Sequence, residues 1–170
     1  MLSAAHYRNF TIIVAETSPS YVAPNKDPVT KLTYLLSSCT GHEMAQSLSS
    51  AGISTFLVPD SSIYAIMSRV NKVILGTHAI LANGGMIAIT GSLMVANAAK
   101  EHSTPVVVCA GQFKLTPLWN LHHQYSALDY ADPSPVLEYN EGDLVERVDA
   151  FNPYYDYVNP ELLNAYITNE

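Results

Sequence analysis

Two features of the chain dictate a doubly wound, Rossmann-like α/β fold, with a mainly parallel sheet and helices on both faces. Short β-branched runs alternate with stretches of 3.6-residue periodicity from Phe10 to Gly111. Strands that follow one another through helices need crossover connections and therefore pair in parallel. The second feature is size: 170 residues suit one domain with a core of ordinary volume.

The elements follow in order. Phe10 to Glu16, "FTIIVAE", is a β-branched run with polar ends, suited to a buried parallel strand. Thr17 to Ser38 carries three prolines, Asn25, Asp27 and no period, so residues 20–38 are read as a loop insertion. "TGHEMAQSLSSAG" puts Met44, Ala45, Leu48 and Ala51 on one helical face, with Thr40 and Glu43 at capping-box spacing and Gly52 as the stop. "STFLVP" is the next strand. Asp60 then caps a helix whose apolar positions are Ile63, Ile66, Met67 and Val70. "KVILG", the helix "GSLMVANAAKEHS" and the strand "TPVVVCAG" complete the alternation. Behind them the pattern dissolves into aromatic and turn residues. A short strand "VLEY" and a closing helix, "NPELLNAYITNE", follow. In that helix Asn159 caps, Pro160 takes the first position, and Leu162, Leu163, Tyr166 and Ile167 form the apolar face.

Composition excludes several function classes. Eight basic against 15 acidic residues give a net charge of −7, which repels phosphate backbones, so no direct nucleic-acid partner is expected. The longest apolar runs fall far short of the roughly 20 residues that span a bilayer, and "MLSAAHYRNF" has no signal-peptide pattern, so a cytosolic protein with no membrane partner is expected. Cys39 and Cys109 stand in no ligand spacing and read as reduced thiols; adjacent His122 and His123 point apart, which argues against a metal site. With 48% apolar and only 14% charged residues, part of the surface is expected to face a partner.

Parallel sheets bind ligands at the carboxyl ends of their strands. Those ends here carry Glu16 and Ser18, Asp60, His78 and Gly111, with no GxGxxG and no P-loop beside them, so no cofactor is expected. Together with Glu43 and the turn Asn83-Gly84-Gly85, residues Glu16, Ser18, Asp60 and His78 outline a residual pocket. The plainer readings are that Glu43 caps its own helix, that His78 is a satisfied or partly exposed histidine, and that Asn83-Gly84-Gly85 is a tight turn with glycines at positive φ.

The succession "IIVAE…P", "GHEMA", "DSSIYAIMSRVNKVILGTHAILANG", "TGS", "STPVVVCAGQFKLTP" and "FNPYYDYVNPELLNAYITN" resembles the C-terminal domain of the alpha, beta and delta regulatory subunits of eukaryotic translation initiation factor 2B, the beta type above all. These are relatives of methylthioribose-1-phosphate isomerase. The resemblance implies a non-catalytic regulatory and scaffold subunit of a guanine-nucleotide exchange complex. Its expected partners are delta-type, alpha-type and catalytic subunits and the alpha subunit of translation initiation factor 2, whose phosphorylation it helps to sense. It also implies one Rossmann-like domain over 1–170, without the family's N-terminal helical domain.

The alternative is a sugar-phosphate aldose–ketose isomerase acting on methylthioribose-1-phosphate or ribose-1,5-bisphosphate. Where the isomerases hold a catalytic Asp, His78 stands. Where Asn-Gly is followed by an Asn-Lys pair, Asn83-Gly84 is kept but Ala88-Ile89 follows. Ser18 and Glu43 match the positions of two phosphate-binding arginines, and the catalytic Cys would lie upstream of Met1. The expected interface comprises Met86, Ile87 and Ile89 after the glycine turn, and Phe113, Leu115, Leu118 and Trp119 in the apolar tail.

Overall fold

The computed structural model of the chain describes residues 10–16, 41–119 and 129–169. The insertion 20–38, Ser18, Cys39, Thr40 and the His122-His123 pair lie outside these residues. The chain divides into two compact units, Met1–Ile63 and Tyr64–Glu170.

In the first unit β1 (Thr11–Ala15) pairs in parallel with β2 (Ser54–Val58), from Thr11 opposite Ser54 to Ala15 opposite Val58. The Glu16 amide donates to the Val58 carbonyl and lengthens the ladder by one bond. Helix α1 (Gly41–Ser50) connects the two strands, as a parallel pair requires. Its expected apolar face is half realised: Ala45 and Leu48 are half-buried, while Met44 is exposed. Asp60 is not a cap but the first residue of a 3-10 turn, Asp60–Ser62, entered from Pro59. Helix α2 (Ile63–Met67) follows in the chain, beginning at the last residue of the first unit and running into the second, with Ile63 and Met67 buried at the predicted spacing.

The second unit holds two three-stranded sheets. One is parallel, with β6 (Val106–Cys109) between β3 (Val73–Gly76) and β8 (Ala165–Ile167). Val106, Val107 and Val108 are all buried, as a central parallel strand with both faces covered demands. The other sheet is antiparallel, ordered β4 (Ala79–Ile80), β5 (Met86–Ile89), β7 (Tyr155–Val158). Helix α3 (Ser92–Glu101) buries Ala96, Ala98 and Ala99, small side chains that let the helix axis approach its neighbours closely. Met86, Ala88, Ala96, Val108, Val158 and Leu162 form a core to which both sheets and α3 contribute. A short helix α4 (Asp143–Arg147) lies in the segment before β7. Among the described residues no helix is long and apolar enough to cross a membrane.

The predicted parallel pairing and helices are present, in mixed sheets of the α/β class. Two elements differ. The closing segment is not a helix: only Pro160–Leu162 makes a 3-10 turn, and Ala165–Ile167 joins the parallel sheet as β8. Twelve residues are marginal for an isolated helix in water, and the free edge of β6 offers a full set of partners. The Asn164 amide donates to Val106 O at 2.9 Å, the Asn164 side chain accepts from the Val106 amide at 2.8 Å, and the Ala110 amide donates to Ile167 O at 3.0 Å. "VLEY" is likewise not a strand but a series of turns, because Pro133 O takes the amides of Val136 and Leu137.

Met86 is 0% exposed and packs in the shared core, so it belongs to the chain's interior and not to an interface. Met86→Ala should lower the free energy of unfolding by about 2–5 kcal/mol, seen as a fall in the urea midpoint at unchanged m-value. Ile87→Ala on the opposite face should cost less.

Candidate functional site

The antiparallel sheet organises the polar residues of the second unit. Its geometry begins at the turn between β4 and β5. The Leu81 amide donates to Gly85 O at 2.8 Å, and the Gly84 amide donates to Leu81 O at 2.9 Å. Asn83 Oδ1 accepts from the Gly85 amide at 2.9 Å, a side-chain turn that asparagine favours. Gly84 has φ +82°, as expected for a tight turn; Gly85 does not, and its constraint is space. A Cβ on Gly85 would lie 2.5 Å from the Tyr157 hydroxyl. That hydroxyl accepts from Asn83 Nδ2 at 2.7 Å, and the Tyr166 hydroxyl donates to Gly84 O. The turn is thus clamped by one tyrosine from each sheet, and desolvation, followed by Tyr157 beside it, raises the Tyr166 pKa.

His78 sits at the other end of the hairpin. Its amide donates to Ile87 O at 2.8 Å, and its ring lies against Tyr155 at a centroid distance of 4.8 Å, with Nδ1 3.4 Å from the Tyr155 hydroxyl. The imidazole is exposed. Next to it, the buried Thr77 hydroxyl donates to Ile87 O and Ala79 O, and Lys114 Nζ donates to Thr77 O at 2.5 Å. The ammonium is thereby held by a backbone carbonyl. Burial raises the Tyr155 pKa, with smaller contributions from Tyr154 and Asp129.

The third feature is the start of α3. Gly91 is its N-cap, and its side chain can offer no oxygen. Asp156 supplies one from β7: Oδ2 accepts from the Gly91 amide at 2.7 Å and from the Leu93 amide at 3.2 Å. A helix N-terminus after a strand is a ready anion site. Here the chain's own carboxylate fills it.

The proposed pocket residues belong to both units. Glu16 directly follows β1, Glu43 is exposed in the first turn of α1, and Asp60 opens the 3-10 turn, all in the first unit. Ser18 lies outside the described residues, as does Thr40, the partner in the expected capping box of Glu43. His78 and Asn83-Gly84-Gly85 belong to one sheet but occupy opposite ends of the hairpin, each tied to a different tyrosine of β7. Sequence reading missed Tyr155, Asp156 and Tyr157; the signal available was the alternation in "YDYV", which places Tyr155 and Tyr157 on one face and Asp156 on the other.

The apolar tail is described as far as Trp119. The Thr116 amide donates to Ile80 O at 2.8 Å and the Ala82 amide donates to Leu118 O at 3.0 Å, so the backbone runs beside β4. Its side chains face outward: Phe113 is 84% exposed, Leu118 and Trp119 65% each, and Leu115 54%. Ile89 is exposed and Ile87 half-buried, on the face opposite Met86 and Ala88.

Fold and site together define α/β structure of the Rossmann-like class, with a self-filled helix N-terminus at α3 and an exposed apolar segment beside β4. The Initiation factor 2 subunit family matches residues 38–170, and the chain belongs to that family. Over 166 residues it is 45% identical to the translation initiation factor eIF2B subunit beta of Schizosaccharomyces pombe, covering 98% of this chain and 38% of that protein. It is also 30% identical over 131 residues to a ribose 1,5-bisphosphate isomerase of Pyrococcus furiosus, covering 76% of this chain and 40% of the isomerase. A chain in the crystal structure of the tetrameric eIF2B-beta2-delta2 complex from C. thermophilum superposes with a TM-score of 0.58 at 28% identity, over 98% of this chain and 44% of that one. The chain thus spans well under half the length of these relatives.

Asp156→Ala should cost about 0.5–2 kcal/mol of stability, the usual value of a lost N-cap carboxylate, with Asp156→Asn recovering part of it. Urea unfolding of the three chains checks the order.

Proposed function

We propose that the chain is the C-terminal domain of a beta-type regulatory subunit of the guanine-nucleotide exchange complex for translation initiation factor 2, acting as a scaffold and not as a catalyst. The likeness to eIF2B beta subunits over nearly the whole chain carries this reading. In it, the domain meets a delta-type subunit, contributes to an assembly with alpha-type and catalytic subunits in the cytosol, and helps to sense phosphorylation of the substrate's alpha subunit.

The geometry supports a scaffold over an enzyme. The helix N-terminus that could grip a phosphate is occupied by Asp156, and a second anion there would meet like charge. His78 has Tyr155 beside it, a hydroxyl and not a carboxylate that would orient an imidazole for proton transfer. The cation close to His78, Lys114, is engaged with Thr77 O. The second reading, a sugar-phosphate isomerase, has the Pyrococcus relative in its favour. Against it stand His78, Ala88 and Ile89 at positions where the resemblance calls for charged or amide groups. No residue set for gripping a guanine nucleotide is present in the sequence either.

The exposed tail supplies the contact surface in this proposal. Phe113 and Trp119 are large, exposed and held on an ordered backbone, the character of interface anchors. Phe113→Ala and Trp119→Ala should leave the chain's own stability within about 0.5 kcal/mol, yet each should weaken binding to a delta-type subunit by about 2 kcal/mol, near thirtyfold. Analytical ultracentrifugation of the chain alone and mixed with that subunit measures it. A partner-indifferent monomer at tens of micromolar overturns the scaffold reading. Turnover of ribose-1,5-bisphosphate above roughly 1 per second by the whole protein would instead favour the isomerase.

A further inference from the structure

The sequence contains four Ser/Thr-Pro dipeptides: Ser18-Pro19, Thr104-Pro105, Thr116-Pro117 and Ser134-Pro135. This pair is what proline-directed protein kinases read, since proline has no N–H to leave unsatisfied beside the phosphorylated residue. The first lies outside the described residues. Thr104 is buried, with its hydroxyl turned onto Val70 O at 3.3 Å. The Thr116 hydroxyl oxygen is buried as well. Ser134 differs: it is partly exposed, in a surface turn flanked by the exposed residues Asp132, Pro135 and Val136.

That turn is held by its first residue. Asp132 Oδ1 accepts from the Ser134 hydroxyl at 2.6 Å and from the Ser134 amide at 2.9 Å, and these bonds, the side-chain one first, hold the Asp132 carboxyl below its ordinary range. Pro133 O closes the turn by accepting from the Val136 and Leu137 amides at 2.8 and 3.0 Å. Asp132 also ties the turn to the interior. Buried Asn152 donates from Nδ2 to Asp132 O at 2.8 Å, the Ala131 amide donates to Asn152 O at 2.7 Å, and the Tyr154 amide donates to Asp129 O at 2.9 Å. Residues 129–132 therefore run along 152–154, immediately ahead of β7, whose Tyr155, Asp156 and Tyr157 position the hairpin and α3.

We propose that Ser134 is a phosphorylation site for a proline-directed kinase, and that phosphate there opens the Asp132-capped turn and loosens the segment beside β7. In the step, Ser134 Oγ attacks the γ-phosphorus of a nucleoside triphosphate. The Oγ–P bond forms as the bond from that phosphorus to the β,γ-bridging oxygen breaks; the nucleoside diphosphate leaves, and the hydroxyl proton passes to the kinase's carboxylate base. The product carries about −1.5 to −2 charge and only acceptor oxygens. It replaces the one hydroxyl proton that Asp132 accepts, so an attraction at 2.6 Å becomes a repulsion between two anions.

The test incubates the purified chain with a mitogen-activated-type proline-directed kinase and ATP, and localises phosphate by peptide mass spectrometry. Phosphate is expected on Ser134 and absent from Thr104 and Thr116, and it should be lost from this site in Ser134→Ala and also in Pro135→Ala, which keeps the hydroxyl. Amide hydrogen exchange then reads the structural effect. Ala131, Ser134, Val136 and Leu137 should exchange at least about tenfold faster in the phosphorylated chain, while Val106 to Val108 stay unchanged. No incorporation at Ser134, or incorporation indifferent to Pro135→Ala, overturns the site. Stoichiometric phosphate with unchanged exchange overturns the switch.

Discussion

Asp156 accepts two backbone amides at the start of α3, and it can do so only because β7 is paired against β5 in one particular register. Met86 lies opposite Val158, Ile87 opposite Tyr157, Ala88 opposite Asp156 and Ile89 opposite Tyr155. Strand side chains alternate with period two, so a slip of one residue would turn Val158 and Asp156 away from the face they share with Met86 and Ala88, and would put Tyr155 and Tyr157 there instead. The same register places Tyr157 against Gly85, where no larger residue fits. Hairpin turn, helix cap and core are therefore three consequences of one pairing. Because β5 and β7 are separated by 65 residues or more, the constraint is a long-range one.

That separation also explains what was legible in the sequence. Elements set by their own residues are legible: the β-branched run of β6, the existence of helix α3, the spacing of Ile63 and Met67 in α2. Elements set by a distant partner are not. Leu162, Leu163, Tyr166 and Ile167 fit a helical face, yet Ala165–Ile167 is a strand because β6 leaves an edge free. In the sequence the β4–β5 hairpin shows only as a glycine turn followed by four apolar residues, a pattern that reads Met86 as an interface residue although it is fully buried. The tyrosines and Asp156 of β7 were in plain view in "YYDY", but their roles depend on which strand they meet.

The chain is similar both to initiation-factor subunits and to a ribose 1,5-bisphosphate isomerase, so the fold alone does not choose between them. The choice falls on a few side chains. An enzyme acting on a sugar phosphate needs positive potential and free donors where the phosphate binds. In this chain the donors at the α3 terminus already face a carboxylate, and Lys114 is engaged by a backbone carbonyl. Both arrangements satisfy groups that an active site would hold open.

The apolar tail shows the reverse economy. Backbone bonds to Ile80 and Ala82 fix residues 116–118 along β4, so the chain has already lost much of its conformational freedom there, while Phe113, Leu115, Leu118 and Trp119 gain little burial in return. A disordered tail would have to be ordered on contact, at a cost of roughly 1–2 kcal/mol per residue for the backbone alone. An ordered one does not. Since association carries such ordering costs, a row of exposed aromatic and aliphatic side chains on an already ordered backbone suits the contact surface proposed above.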